Sequence, residues 1–121
     1  MYNKLVAGTV MLNTTEGKQL FLLHQVEDVL DFAVTQVLDD KTSLASILDF
    51  LKNMANINLD HVELVELTSV SLNNRSVPLY LFALDEKFIT YELAENFLWE
   101  SPANLRELLS TREIKGEAFL I

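Results

Sequence analysis

The stretch TSLASILDFLKNMA, Thr42–Ala55, decides how this chain is read. Leu44, Ile47, Leu48, Leu51, Met54 and Ala55 recur at the i, i+3, i+4, i+7 spacing that lines up apolar side chains along one side of a helix. Asp40, Thr42 or Ser43 can cap its start, since each offers an oxygen to the unpaired first-turn amides, and Asn56 can end it. The helix is unusual in what it lacks. The chain has 18 Asp plus Glu against 9 Lys plus Arg, yet this segment carries one carboxylate, Asp49, beside Phe50, Asn53 and Met54.

On the N-terminal side of the helix, Leu5–Leu12 and Gln19–Val26 are rich in β-branched and large apolar residues. The turn segment Thr14–Lys18 joins them as a hairpin. Their apolar residues run nearly without a break (LVAGTVML, LFLL), which predicts strands covered on both faces. Phe32–Val37 is a further short strand. On the C-terminal side, Val62–Leu72 and Val77–Leu84 form a second hairpin across Asn73–Ser76. Pro78 belongs at a strand start or edge because it has no amide hydrogen to donate. Phe88–Leu93 and Asn96–Trp99 read as two short strands, and Ser101–Pro102 opens a last helix whose apolar side is Leu105, Leu108 and Leu109. Ala118–Ile121 is an apolar tail that needs a surface to dock on. Strands covered on both faces, with one helix mid-chain and one late, predict an α+β fold in which a mixed sheet is sandwiched between helices.

A length of 121 residues fits a single domain spanning 1–121, and 50% hydrophobic residues are enough for a real core. The net charge of −9 disfavours nucleic acid, whose binding rests on Lys and Arg contacts to phosphate, and disfavours an anionic membrane surface. The chain has no cysteine, which removes thiol nucleophiles, disulfides and thiolate metal ligands and fits a cytoplasmic setting. No apolar run reaches the ~18–20 residues that span a bilayer. Leu5–Leu12 is short for a signal core and is read as a strand.

The order of elements resembles the Nudix hydrolase fold over nearly the whole chain: hairpin, strand, loop–helix–loop, long strand pair, Trp-bearing strand, terminal helix. The Nudix signature is Gly, five residues, Glu, seven residues, then Arg-Glu-aliphatic-any-Glu-Glu-any-Gly-aliphatic. Laid on Thr35–Ile57, its apolar skeleton fits, with Leu51 and Ile57 in the aliphatic places. NFLWESPANLREL, Asn96–Leu108, is similar to the tryptophan, cap and helix that commonly close the family. The polar skeleton is absent. Thr35 stands for the first glycine, Lys41 for the loop glutamate, Asp49-Phe50 for Arg-Glu, Asn53-Met54 for Glu-Glu, and Asn56 for the last glycine.

In the family those glutamates hold Mg²⁺ or Mn²⁺ against a diphosphate, a task for anionic oxygens. The resemblance therefore implies a non-catalytic Nudix-like domain that acts by binding a small molecule or a protein, with no catalytic residues, no metal and no cofactor. A homodimer is the assembly it suggests. The alternative is a divergent hydrolase of nucleoside diphosphate derivatives, which uses Mg²⁺ or Mn²⁺ on carboxylates drawn from Asp39, Asp40, Glu63, Glu66, Glu92 and Glu95.

Four aromatic residues, Phe32, Tyr80, Phe82 and Trp99, are candidate ligand-binding residues because aromatic faces stack on flat rings; core packing accounts for them equally well. Asp39, Asp40 and Asp49 read as a solvated loop and helix face. Glu63 and Glu66, three apart on a strand, fall on opposite faces unless a bulge intervenes. His24 and His61 lack the spacing of zinc ligands and read as core or edge histidines. Phe50 broadens the apolar stripe and is expected to be at least half buried.

Overall fold

The hydrogen-bond ladder of this chain is mixed: its two central strands run parallel, and every other pairing is antiparallel. The computed structural model describes residues 4–72, 74–109 and 114–115, with the side chains of residues 108, 109, 114 and 115 left aside. The elements are β1 (Leu5–Asn13), β2 (Gln19–Val26), β3 (Val29–Asp31), β4 (Ala33–Gln36), α1 (Ser43–Asn53), β5 (Glu63–Leu72), β6 (Arg75–Asp85), β7 (Phe97–Glu100), α2 (Pro102–Leu109) and β8 (Ile114–Lys115).

β1 lies parallel to β6 along one edge. Along its other edge it pairs first with β4, through Leu5–Gly8, and then with β2, through Met11–Asn13. β2 in turn pairs with β3 on the side it shares with β1 and with β7 on the other. The first hairpin thus closes at its turn and splays, with β3 and β4 filling the gap. β5 and β8 complete the sheet beyond β6.

The near-continuous apolar runs are covered on both faces. Val6, Val10, Leu12, Leu22, Phe82 and Leu84 point to one side, where Ile47 and Leu51 of α1 cover them. Ala7, Phe21, Leu23, Leu79 and Leu81 point to the other, where Leu105 of α2 joins them. Thr9, fully buried in this second layer, gives its hydroxyl hydrogen to the carbonyl of Leu22 at 2.8 Å. α1 sits close on β1 because Gly8 has no side chain. A Cβ there would lie 2.7 Å from Cγ1 of Ile47.

Local chemistry sets the boundaries. Thr42 caps α1, its hydroxyl oxygen accepting from the Ala45 amide at 3.1 Å. Beyond the helix Asn56 takes φ +67°, and the Ile57 amide turns back to the Leu51 carbonyl at 3.0 Å. Asn is one of the few side chains that tolerates this left-handed conformation, so Asn56 keeps the turn that a glycine would otherwise supply. The β5–β6 hairpin is tighter than Asn73–Ser76 suggests, with Leu72 already opposite Arg75 and Asn74 at φ +63°. Pro78 sits inside β6, yet the β1 ladder begins only at Leu79, so its missing amide hydrogen leaves no partner unpaired on that side.

Three expectations are corrected. Phe88–Leu93 is not a strand. A 3₁₀ turn, Glu86–Phe88, leads into a loop whose hydrogen bonds go to the end of α1 instead of to a neighbouring strand. Met54 leaves the buried stripe and is 56% exposed; it is the C-cap residue, and Ala55 and Ile57 bury in its place. Phe32–Val37 shortens to β4, Ala33–Gln36: Phe32 falls at the junction with the preceding short strand β3, which the sequence reading did not include, and its amide is held by the Asp31 carboxylate at 2.8 Å. The tail Ala118–Ile121 lies outside the described residues.

Candidate functional site

The outer side of α1 faces β2 and β7, and aromatic rings meet there. His24 on β2 is directly opposite Phe97 on β7. Their rings stack with centroids 4.1 Å apart and planes 2° from parallel. Phe50 of α1 closes the cluster, 5.9 Å from the His24 ring and 6.0 Å from the Phe97 ring, both at steep angles. Phe50 is more than half buried, as its place beside the apolar stripe predicts. Burial against these rings pushes the His24 imidazole below its ordinary pKa, because the charged form loses water.

The polar side of the same helix turn carries one ion pair. Lys41 and Asp49 are hydrogen bonded and both partly exposed. The hydrogen bond to Asp49 holds the Lys41 ammonium above the usual lysine range, and the charges of Asp49 and Asp40 add to it. At the two places where the Nudix signature has an acid and a base, this chain has a base and an acid, and they pair.

The donor set does not fit a divalent metal. Phe50 is packed under two rings, and Asn53 and Met54 are exposed and carry no charge. Asp49 is engaged by Lys41. Asp39 and Asp40 stand on an exposed loop. Among the described residues no three His, Asp or Glu side chains converge.

Glu63 and Glu66 need a correction. β5 carries a bulge between Leu64 and Glu66, so Glu63 pairs with Ala83 and Glu66 with Leu81. Both glutamates therefore lie on one face of the sheet, the face α2 covers, away from the side where α1 lies. Glu92 and Glu95 are exposed on the loop that precedes β7.

That loop builds the clefts beside α1. The Asn56 side-chain amide donates to the Glu92 carbonyl at 2.9 Å, the Ala94 amide to the Ala55 carbonyl at 3.1 Å, and the Gln25 amide to the Asn96 carbonyl at 2.7 Å. Asn58 reaches the Thr90 hydroxyl at 3.5 Å. Between this loop and β7 is an open cleft of about 580 Å³, lined by Thr90, Tyr91, Glu92, Phe97 and Trp99 among others. A second cleft of about 410 Å³ opens at the end of α1, lined by Lys52, Asn53, Asn56, Asn58, Asp60 and Tyr91. Tyr91, 63% exposed, borders both.

Of the four aromatic candidates, only Trp99 lines this cleft. Tyr80 and Phe82 stack on each other on the α1 face, centroids 6.2 Å apart, with Phe82 only 2% exposed. Phe32, also 2% exposed, lies in the opposite layer and shares no site with the other three. His61 is exposed in a 3₁₀ turn, stacked on Phe88 at 3.7 Å. Tyr91 escaped the sequence reading because the loop that presents it looks like a strand.

The fold defined by these layers is the Nudix fold. The chain superposes on an Ap4A hydrolase from C. elegans with a TM-score of 0.70 at 18% identity, covering 91% of this chain and 88% of that one. It superposes on the M. smegmatis Nudix hydrolase RenU with a TM-score of 0.64 at 8% identity, over 88% of this chain and 75% of that one. The NUDIX domain of Shewanella oneidensis NrtR, in a structure with ADP ribose, gives 0.59 at 8% identity, over 89% and 78%. No family model matches the sequence, and no curated protein matches it. The chain is a Nudix-like domain by its fold.

Proposed function

We propose that this Nudix-like domain works by binding and does not hydrolyse diphosphates. One observation carries the reading: Phe50, at the place of the first glutamate of the helix signature, is packed against His24 and Phe97, so apolar rings fill the space beside the helix where carboxylate oxygens would be needed. The Lys41–Asp49 pair supports it, since the one acidic side chain of α1 is already neutralised. The bound molecule is a small, flat, polar ligand in the clefts around Tyr91 and Trp99. There an aromatic face can stack on a ring, and the side-chain amides of Asn53, Asn56 and Asn58 can hydrogen bond its polar groups. The NrtR NUDIX domain with ADP ribose is a neighbour in which a domain of this fold carries such a molecule.

Thermal-shift titration against nucleotides and sugar nucleotides, with and without Mg²⁺ or Mn²⁺, tests this. A ligand that binds the native state raises the melting temperature. The expected result is a shift that needs no metal and is lost in Tyr91→Ala, with no shift from either ion alone. Metal-dependent release of phosphate or nucleoside monophosphate from any nucleoside diphosphate derivative would overturn it. A homodimer is proposed as the working assembly, and light scattering on the eluting protein reads its mass.

A further inference from the structure

The two clefts that share Tyr91 are nearly bare of positive charge. Among the described residues that line them Lys52 is the one cation, and the carboxylates of Asp60 and Glu92 stand against it. Neither carboxylate has an ion-pair partner among the described residues. The chain around them carries a net charge of −9. A phosphate group brings about −1.5 to −2 of its own at pH 7, and proteins hold it with Arg, Lys or a divalent ion. Among the described residues no arginine lines either cleft, and no three acidic or imidazole side chains converge to hold a metal.

The hydrogen-bonding groups point the same way. Asn56 spends an amide hydrogen on the Glu92 carbonyl, and Asn58 directs its own toward the Thr90 hydroxyl. The Asn58 side-chain oxygen already accepts from the Asp60 amide at 3.0 Å. The groups left to meet a ligand are weighted toward acceptors: the side-chain oxygens of Asn53 and Asn56 and both carboxylates. Such a rim suits a molecule that donates, through the hydroxyls of a ribose or the exocyclic amine of a base.

We propose that the ligand of these clefts is an uncharged nucleoside and that a phosphate on its 5′ oxygen weakens binding. The inference rests on the reading of the clefts as a small-molecule site and names the molecule that suits them. The base stacks on Tyr91 or Trp99, and the ribose hydroxyls donate to Glu92 or Asp60. The same two carboxylates repel a phosphate, so the rim sorts nucleosides from their phosphorylated forms.

Calorimetric titration of the full chain, with a chelator present, tests this. The probes are adenosine, guanosine, cytidine and uridine, each beside its own 5′-monophosphate and 5′-diphosphate. At low salt at least one nucleoside should bind roughly tenfold or more tighter than its diphosphate, with the monophosphate between them. The gap should narrow at high salt, where the carboxylates are screened. It should narrow too in the paired variant Asp60→Asn with Glu92→Gln, which keeps side-chain size and removes both charges. A diphosphate that binds the unsubstituted chain as tightly as its nucleoside would overturn the charge filter while leaving the clefts a binding site. A gap unchanged in the paired variant would do the same. If no nucleoside or nucleotide binds at all, the filter and the small-molecule reading fall together.

Discussion

His24 and Phe97 are directly opposed on adjacent antiparallel strands, and their rings lie flat against each other, 4.1 Å between centroids. This pair joins the outer side of α1 to the β7 end of the sheet. Its environment gives His24 a pH-dependent contribution to stability. The folded-state pKa of His24 is below the unfolded value of 6.5, and burial is the cause. A depressed pKa means that the unfolded chain takes up the proton first. The stabilising contribution is therefore complete above about pH 6.5 and is lost as pH falls through the folded pKa. An NMR titration of the imidazole should give a midpoint below 6.5, and Phe97→Ala should move it back up by admitting water. A midpoint at or above 6.5 would contradict the packing.

Replacing Phe50 with Glu restores a signature residue in name only. The new carboxylate would enter a partly buried cluster between the Phe97 ring and the His24 imidazole, whose charged form burial disfavours. Urea denaturation should show a loss of about 1–3 kcal/mol. Addition of Mg²⁺ should not recover it, since no neighbouring carboxylates complete an ion's shell. A neutral substitution would mean that water already reaches the position.

Gly8 sets the distance between α1 and the sheet. In Gly8→Ala the new methyl would meet Cγ1 of the fully buried Ile47 at 2.7 Å. Overpacking of this kind costs about 1–3 kcal/mol, offset in part by the reduced freedom of the unfolded chain. Gly8→Val should cost more than Gly8→Ala in the same denaturation experiment.

Two threonines should respond oppositely to the same change. The Thr9 hydroxyl donates to the Leu22 carbonyl in the core, so Thr9→Val should lose about 1 kcal/mol. The Thr68 hydroxyl oxygen is buried with no hydrogen-bond partner among the described residues. Thr68→Val removes an unsatisfied polar atom at nearly constant shape and should be neutral or stabilising by up to about 1 kcal/mol. Paired urea midpoints decide between these outcomes and a uniform effect.

The local pattern carried far in this chain. The Leu44–Leu51 stripe, the Thr42 cap and the Ser101–Pro102 helix start were all legible, because helix periodicity and caps depend on residues a few positions apart. So was two-sided burial of the first hairpin, from its unbroken apolar runs. The loop before β7 was misread because Phe88–Leu93 alternates weakly like a strand. Its real partners are Asn56 and Ala55, more than 30 residues away, and no local signal names them.

Sequence alone therefore determined the two helices, the two hairpins and their order, and the scarcity of anionic oxygens on the mid-chain helix. These follow from composition and short-range spacing. Tertiary structure decided which residues meet: the bulge in β5 that brings Glu63 and Glu66 to one face, the separation of Phe32 from Tyr80, Phe82 and Trp99, and the meeting of His24, Phe50 and Phe97. The physical reason is register. A one-residue slip between strands exchanges the faces of a sheet, and register is set by pairings between distant segments that periodicity along one segment does not encode.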